Sequence, residues 1–176
     1  MRNVIQKYWT IGLIALLIVA LDQWTKWLVR VNIPAGRTWL PESLEWLSPY
    51  ARIVHWYNTG AAFGLFKEGG MVFTVLAFIV IGAILYYYPQ VERSDWPLRL
   101  AMSMQLGGAI GNLIDRLTIG HVIDFISVGT FPVFNIADAS ISVGCVVLLV
   151  GVWLNETAQK KKAASVEVKS EKVEEV

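Results

Sequence analysis

The sequence is poor in the residues that carry most soluble-protein chemistry. Only 16% of its 176 residues are charged, there is one cysteine, Cys145, and there are two histidines, His55 and His121. A single cysteine excludes an internal disulfide. Cys145 also lies inside an apolar run away from either histidine, where it reads as a small buried packing residue rather than a nucleophile. Two histidines with no His-Glu-x-x-His are too few for an ordinary zinc cluster unless carboxylates complete it. Ser127 is the one serine placed to meet a base, and no glycine-serine elbow surrounds it. The net charge of +1 carries no basic excess of the kind that marks a nucleic-acid partner.

What the chain has instead is hydrocarbon: 55% of it is hydrophobic. Gly69–Gln90 contains no charged residue and is long enough to cross a bilayer core of about 30 Å as a helix. Tyr8–Leu21, Leu100–Ile114 and Ala139–Asn155 are shorter uncharged runs that reach full span with the polar residues beside them. The pattern predicts one all-α integral membrane domain over residues 1–155, with four transmembrane helices at about 8–29, 70–88, 98–114 and 138–155. Residues 156–176, rich in lysine and glutamate, are expected to form a charged, disordered cytoplasmic tail. Arg2, Lys7, Arg93, Arg99 and Lys160 to Lys162 flank the helices on one side, which by the positive-inside rule puts both termini in the cytoplasm. The first run resembles a secretory signal, but no convincing small-x-small site closes it, so it is expected to be retained.

Between the first two helices the chain is broken by Pro34, Pro41 and Pro49. Glu42–Leu47 suits a short surface helix, and Ala51–Tyr57 (ARIVHWY), rich in β-branched and aromatic residues, suits a strand. Leu117–Ala137 reads as a second outer loop. Gly107, Gly108 and Gly111 have the small-residue spacing that permits tight helix contact.

Acids are the anomaly. An aspartate at the centre of a membrane helix costs roughly 2.5–3.5 kcal/mol, less toward the ends. Yet Asp22, Asp115, Asp124 and Asp138 all fall at helix ends or in an outer loop. Asp22 and Lys26 are four apart on one helical face, where a local ion pair and a place in a polar cavity are equally good readings. Asp138 opens a helix, where capping is the plain alternative. Asp124 and Asp138 can also meet if the loop folds back. Two carboxylates about 3 Å apart share one proton, so one can activate water while the other polarises a peptide carbonyl. A proton-coupled carrier or channel subunit using the same aspartates as a relay is the alternative, although a relay needs acids at several depths.

Five blocks then carry a resemblance: Asp22-Gln-Trp-Thr-Lys26, Asn58-Thr-Gly-Ala-Ala-Phe-Gly64, Gly107-Gly-Ala-Ile-Gly-Asn-Leu-Ile-Asp-Arg116, Gly120-His-Val-Ile-Asp-Phe125 and Phe134-Asn-Ile-Ala-Asp138. In this order, the chain resembles the lipoprotein signal peptidases (signal peptidase II), bacterial membrane aspartic peptidases. The resemblance implies that Asp124 and Asp138 are the catalytic dyad and that Asp115 supports the fold. It places Asp22, Lys26, Asn58, Gly60, Gly108, Asn112, Arg116, Val122, Asn135 and Ala137 at the substrate site. It further implies a small extracytoplasmic β-sheet cradle with a mobile helix over the site, no metal or cofactor, and a bacterial inner-membrane location. The implied partners are lipid-modified prolipoproteins and membrane phospholipids, with inhibition by globomycin-type cyclic peptides.

Overall fold

A computed structural model describes the backbone of residues 2–60 and 69–174 and the side chains of residues 6–60 and 69–157. Ala61 to Gly64 of the second block, and the side chains of Arg2 and Lys160 to Lys162, lie outside these. Four helices appear: α1 (Arg2–Asn32), α2 (Gly70–Tyr87), α3 (Trp96–Ile119) and α4 (Ile136–Glu174). Three run well past the limits of their apolar cores, because a charge ends an apolar run without ending a helix. α3 is started by Asp95, whose side chain accepts from the Leu98 N–H at 3.3 Å, and by Pro97 in its first turn. It stops at Gly120, whose φ of 79° is the left-handed cap that a glycine takes without strain. α4 continues to Glu174, through residues expected to form a tail. Beyond Gly151 there is neither glycine nor proline, and alanine, lysine, glutamine and glutamate all favour helix.

Among the described residues three segments, Gln6–Asn32, Gly70–Gln90 and Ile136–Thr157, are long and apolar enough to cross a membrane. α3 is long enough but too polar to qualify, and its position explains why. It packs against α1, α2 and α4, so its neighbours are protein. Ser103, Gly107, Gly108, Gly111, Asn112 and Asp115 on it are all buried. α2 is the opposite: nearly all of its apolar surface faces outward, with only Ile84 buried. Cys145 also corrects its reading, since it is exposed on α4, where its sulfur accepts from the Gln105 amide at 3.6 Å.

The α3 glycines are packing devices. A Cβ on Gly108 would run into the Ala137 carbonyl and the side chains of Ser140 and Ile141 on α4, and one on Gly111 would sit 2.7 Å from an Asp22 carboxylate oxygen. Gly108→Ala and Gly111→Ala should each cost about 1–3 kcal/mol through overpacking. Thermal unfolding in detergent reads this directly. Gly12→Ala and Gly82→Ala, which meet nothing within 4 Å, are the controls that should not shift.

A three-stranded antiparallel sheet covers one end of the bundle, in the order β1 (Thr38–Trp39), β2 (Ala51–Asn58) and β3 (Val122–Val128). β2 is the expected strand with one more residue, and Glu42–Leu47 forms a short 3-10 helix as its sequence suggests. β3 is a departure from the outer-loop reading. Ile123 and Phe125 on it pack with Val29 and Ile33 at the end of α1, which docks the sheet on the helices. Because side chains alternate along a strand, Asp124 between them is turned the other way. Its strand neighbours are Trp56, opposite it, and Asn58, opposite Val122.

Candidate active site

Each carboxyl group is placed by local chain chemistry before any tertiary contact. Asn135 and Asp138 form a reciprocal cap at the start of α4: the Asp138 N–H donates to Asn135 Oδ1 at 2.9 Å, and the Asn135 N–H to Asp138 Oδ2 at 3.3 Å. The N-cap is thus Asn135, and Asp138, expected at that place, caps from within the first turn with one carboxylate oxygen, leaving the other available. Asn112 on α3 takes it, donating from Nδ2 to Asp138 Oδ1 at 2.7 Å.

Asp124 is held from two sides. Asn58 Nδ2 donates to Asp124 Oδ2 at 2.8 Å, and Asn135 Nδ2 donates to Asp124 Oδ1 at 2.7 Å. The Asn135 side chain thus joins the strand that carries Asp124 to the helix that carries Asp138. Burial pushes the Asp124 carboxyl up to about 7, and the negative charge of Asp138 adds to the rise. The hydrogen bonds from Asn58 and Asn135 and the charge of Lys26 oppose it. An acid in that condition still holds its proton in weakly acidic solution.

Behind these groups lies a second polar layer. Lys26 Nζ is 2.8 Å from Asp22 Oδ2 and 3.0 Å from Asp115 Oδ2, and it donates to Asn112 Oδ1 at 3.1 Å. All three charged groups are buried. The Asp22–Lys26 helix pair therefore exists, but Asp115 makes it a triad. Asp22 also receives the Ala137 N–H at 2.9 Å, and Asp115 receives the Ile123 N–H at 3.1 Å. Gln23, which the residue pattern did not single out, donates to Asp115 at 3.0 Å and to the Gly111 carbonyl at 3.1 Å. Its place beside Asp22 on a helix already carrying polar side chains was the only available signal. The four aspartates gather at one end of the bundle and do not form a ladder across it.

A cavity of about 440 Å³ opens beside these groups. Asn58, Gly60, Asn112, Arg116, Val122 and Asp138 line it; Asp22, Lys26, Gly108, Asn135, Ala137 and Asp124 stand behind its wall. The rest of the lining is apolar, with Phe73 from α2, Phe131 and Phe134 from the turn after β3, and Ile141 and Val143 from α4. The Arg116 guanidinium lies 5.6 Å from the Phe73 ring centre. Arginine on an aromatic face keeps its charge while being partly desolvated. Among the described residues no cluster of side chains has the arrangement of a metal site.

These features define a helical membrane protein in which two carboxyl groups, joined through Asn135, sit beside an apolar cavity under a small sheet. The family model described as signal peptidase (SPase) II matches residues 14–154, so the chain belongs to that family and is a peptidase. A lipoprotein signal peptidase of Moorella thermoacetica is 42% identical over 140 residues, covering 77% of this chain and 87% of that protein. Those of Bacillus subtilis and Shouchella clausii are 38% and 37% identical over 154 and 150 residues, each covering 85% of this chain and 97% and 96% of theirs. A solved structure of a bacterial membrane enzyme superposes with a TM-score of 0.75 at 30% identity, covering 86% of this chain and 91% of that one.

Proposed function

We propose that the chain is an aspartic endopeptidase of the bacterial cytoplasmic membrane that removes signal peptides from diacylglyceryl-modified prolipoproteins, cutting N-terminal to the lipidated cysteine. Four spans with both termini cytoplasmic and the site near the outer face complete the reading. The observation that carries it is the unequal pair of carboxyl groups: Asp124 buried with its proton retained up to about pH 7, Asp138 beside the cavity.

In the reaction the carboxylate of Asp138 takes a proton from water as the oxygen attacks the scissile carbonyl carbon, and the Asp124 carboxyl gives its proton to the carbonyl oxygen. The tetrahedral diol then collapses: the peptide C–N bond breaks, the proton held by Asp138 goes to the leaving nitrogen, and one diol hydroxyl returns its proton to the Asp124 carboxylate. Asn58 and Arg116, at the cavity wall, are placed to donate to the peptide backbone. Acyl chains need only hydrocarbon, which Phe73, Phe131, Ile141 and Val143 supply. Globomycin-type cyclic peptides would inhibit by filling the same cavity.

The test is to incubate the purified chain with lipidated and unlipidated forms of one precursor. Cleavage of the lipidated form alone supports the proposal, and equal cleavage of both overturns the substrate class. The pH profile is a further check. Activity should fall above about pH 7, where Asp124 loses its proton. Asn58→Ala removes a hydrogen bond that favours the ionised form, so the alkaline limb of kcat/KM should move to higher pH. A limb that stays put or moves down would show that Asp124 does not set it.

A further inference from the structure

At the other end of the bundle lies a second cavity, of about 390 Å³, whose lining includes Trp9 from α1, Tyr88, Arg93, and Trp96, Arg99 and Ser103 from α3. Thirteen residues of α1 separate Trp9 from Asp22, which at 1.5 Å per residue is about 20 Å along the helix. That is most of a hydrocarbon core, so a bundle with its carboxyl site at one membrane surface carries this cavity near the other.

Its chemistry is cationic and unsatisfied. The ion pairs among the described residues are those of Lys26, so among those residues neither Arg93 nor Arg99 is ion-paired with an acid. The nearby acids are engaged elsewhere: Asp95 caps α3, and Glu92 accepts from Ser94 Oγ at 3.0 Å. The Arg99 guanidinium sits 4.1 Å from the Tyr88 ring centre and donates to the Val91 and Lys7 carbonyls at 3.1 and 3.5 Å. Those contacts fix its place, and all of them are to uncharged groups. Tyr88 itself is 0% exposed, and its hydroxyl has no hydrogen-bond partner. A buried donor left unpaired costs about 1–3 kcal/mol, which a bound acceptor would relieve. Trp9 and Trp96 at the rim are 59% and 65% exposed, and indoles settle at headgroup depth.

We infer that this cavity binds the headgroup phosphate of an anionic phospholipid, with Arg93 and Arg99 as the cationic clamp, Tyr88 as a buried donor, and Trp9 and Trp96 against the glycerol and upper acyl region. Guanidinium forks match phosphate oxygens. The tryptophan rim and the neighbouring lipid-facing helix surface favour a lipid over a free anion. Two arginines without a counter-acid favour an anionic headgroup over a zwitterionic one, whose own cation they would repel. The inference is independent of the peptidase chemistry and needs only that the bundle sits in a bilayer.

The experiment is native mass spectrometry of the delipidated full chain titrated with phosphatidylglycerol or with phosphatidylcholine. Phosphatidylglycerol should bind more tightly by on the order of tenfold. Arg93→Gln, at an exposed side chain, should lose most of that preference, and Tyr88→Phe, which keeps the ring, should weaken binding without lowering the unfolding temperature. Equal retention of both lipids, or an unchanged preference in Arg93→Gln and Tyr88→Phe, overturns the inference. Displacement of the lipid by millimolar inorganic phosphate would assign the site to a free anion and overturn the lipid occupant.

Discussion

Asp124→Asn and Asp138→Asn should each lower the rate of lipidated-precursor cleavage by about 10²–10⁴, the usual contribution of a positioned acid or base. The two changes differ in kind. Asp138→Asn keeps an oxygen to accept from Asn112 but has no basic form at any working pH, so water is not activated. Asp124→Asn leaves no carboxylic proton to give to the carbonyl oxygen.

Neither change should unfold the protein, and for Asp124 the reason lies in the native electrostatics. A carboxyl pushed up to about 7 is already neutral over the weakly acidic range, so the fold does not depend on its charge. The amide that replaces it does face an amide donor, from either Asn58 or Asn135, which is worth about 1–3 kcal/mol at most. Initial rates and unfolding temperature measured on the same preparations separate the two effects. A variant retaining more than about a tenth of wild-type turnover, against the loss that general acid–base catalysis implies, would remove that residue from the dyad.

Lys26→Met should have the largest effect on stability. Methionine fills a similar space, but its loss of charge leaves Asp22 and Asp115 facing each other without a cation in a buried site. Breaking a buried pair from one side costs about 3–5 kcal/mol. For a chain of this length that is a fall in unfolding temperature on the order of 10 °C. It should also move the Asp124 limb to higher pH, since the Lys26 charge is one of the influences holding that carboxyl down.

A double-mutant cycle isolates the triad. Asp115→Asn alone should destabilise the wild type, because it removes one partner of Lys26, and should cost much less in the Lys26→Met background, where the carboxylate has no cation to lose. Equal costs in the two backgrounds would show that the Lys26–Asp115 contact contributes nothing. The notion that Asp115 works through folding makes one further demand: purified Asp115→Asn should keep activity roughly in proportion to its folded fraction.

Much of the architecture is legible from local pattern. Hydrocarbon runs locate the helices because a segment in lipid must satisfy its own backbone and show apolar side chains outward. The same reasoning fails at the ends. α3 runs past the expected 98–114 at both ends, by Trp96 and Pro97 and by Asp115 to Ile119, since Asp95 and Asp115 have internal partners. β3 escapes the pattern for a related reason. Val122-Ile-Asp-Phe-Ile-Ser-Val128 is mostly β-branched and aromatic, but an acid at its centre breaks the apolar alternation that marks a strand. The residue that hides the strand is the one that Asn58 and Asn135 hold.

By itself the sequence determined the class of molecule, the helical runs and the blocks in which the acids stand, because hydrophobic length and motif order are properties of the chain alone. Only the tertiary structure decided what those acids touch. Asn135 joins Asp124 to the start of α4, Lys26 balances Asp22 against Asp115 behind the cavity, and α3 is polar because its neighbours are helices. Each of these depends on residues distant in the chain coming within hydrogen-bond reach. Over such distances the charge and proton affinity of a carboxyl are set by the groups that surround it.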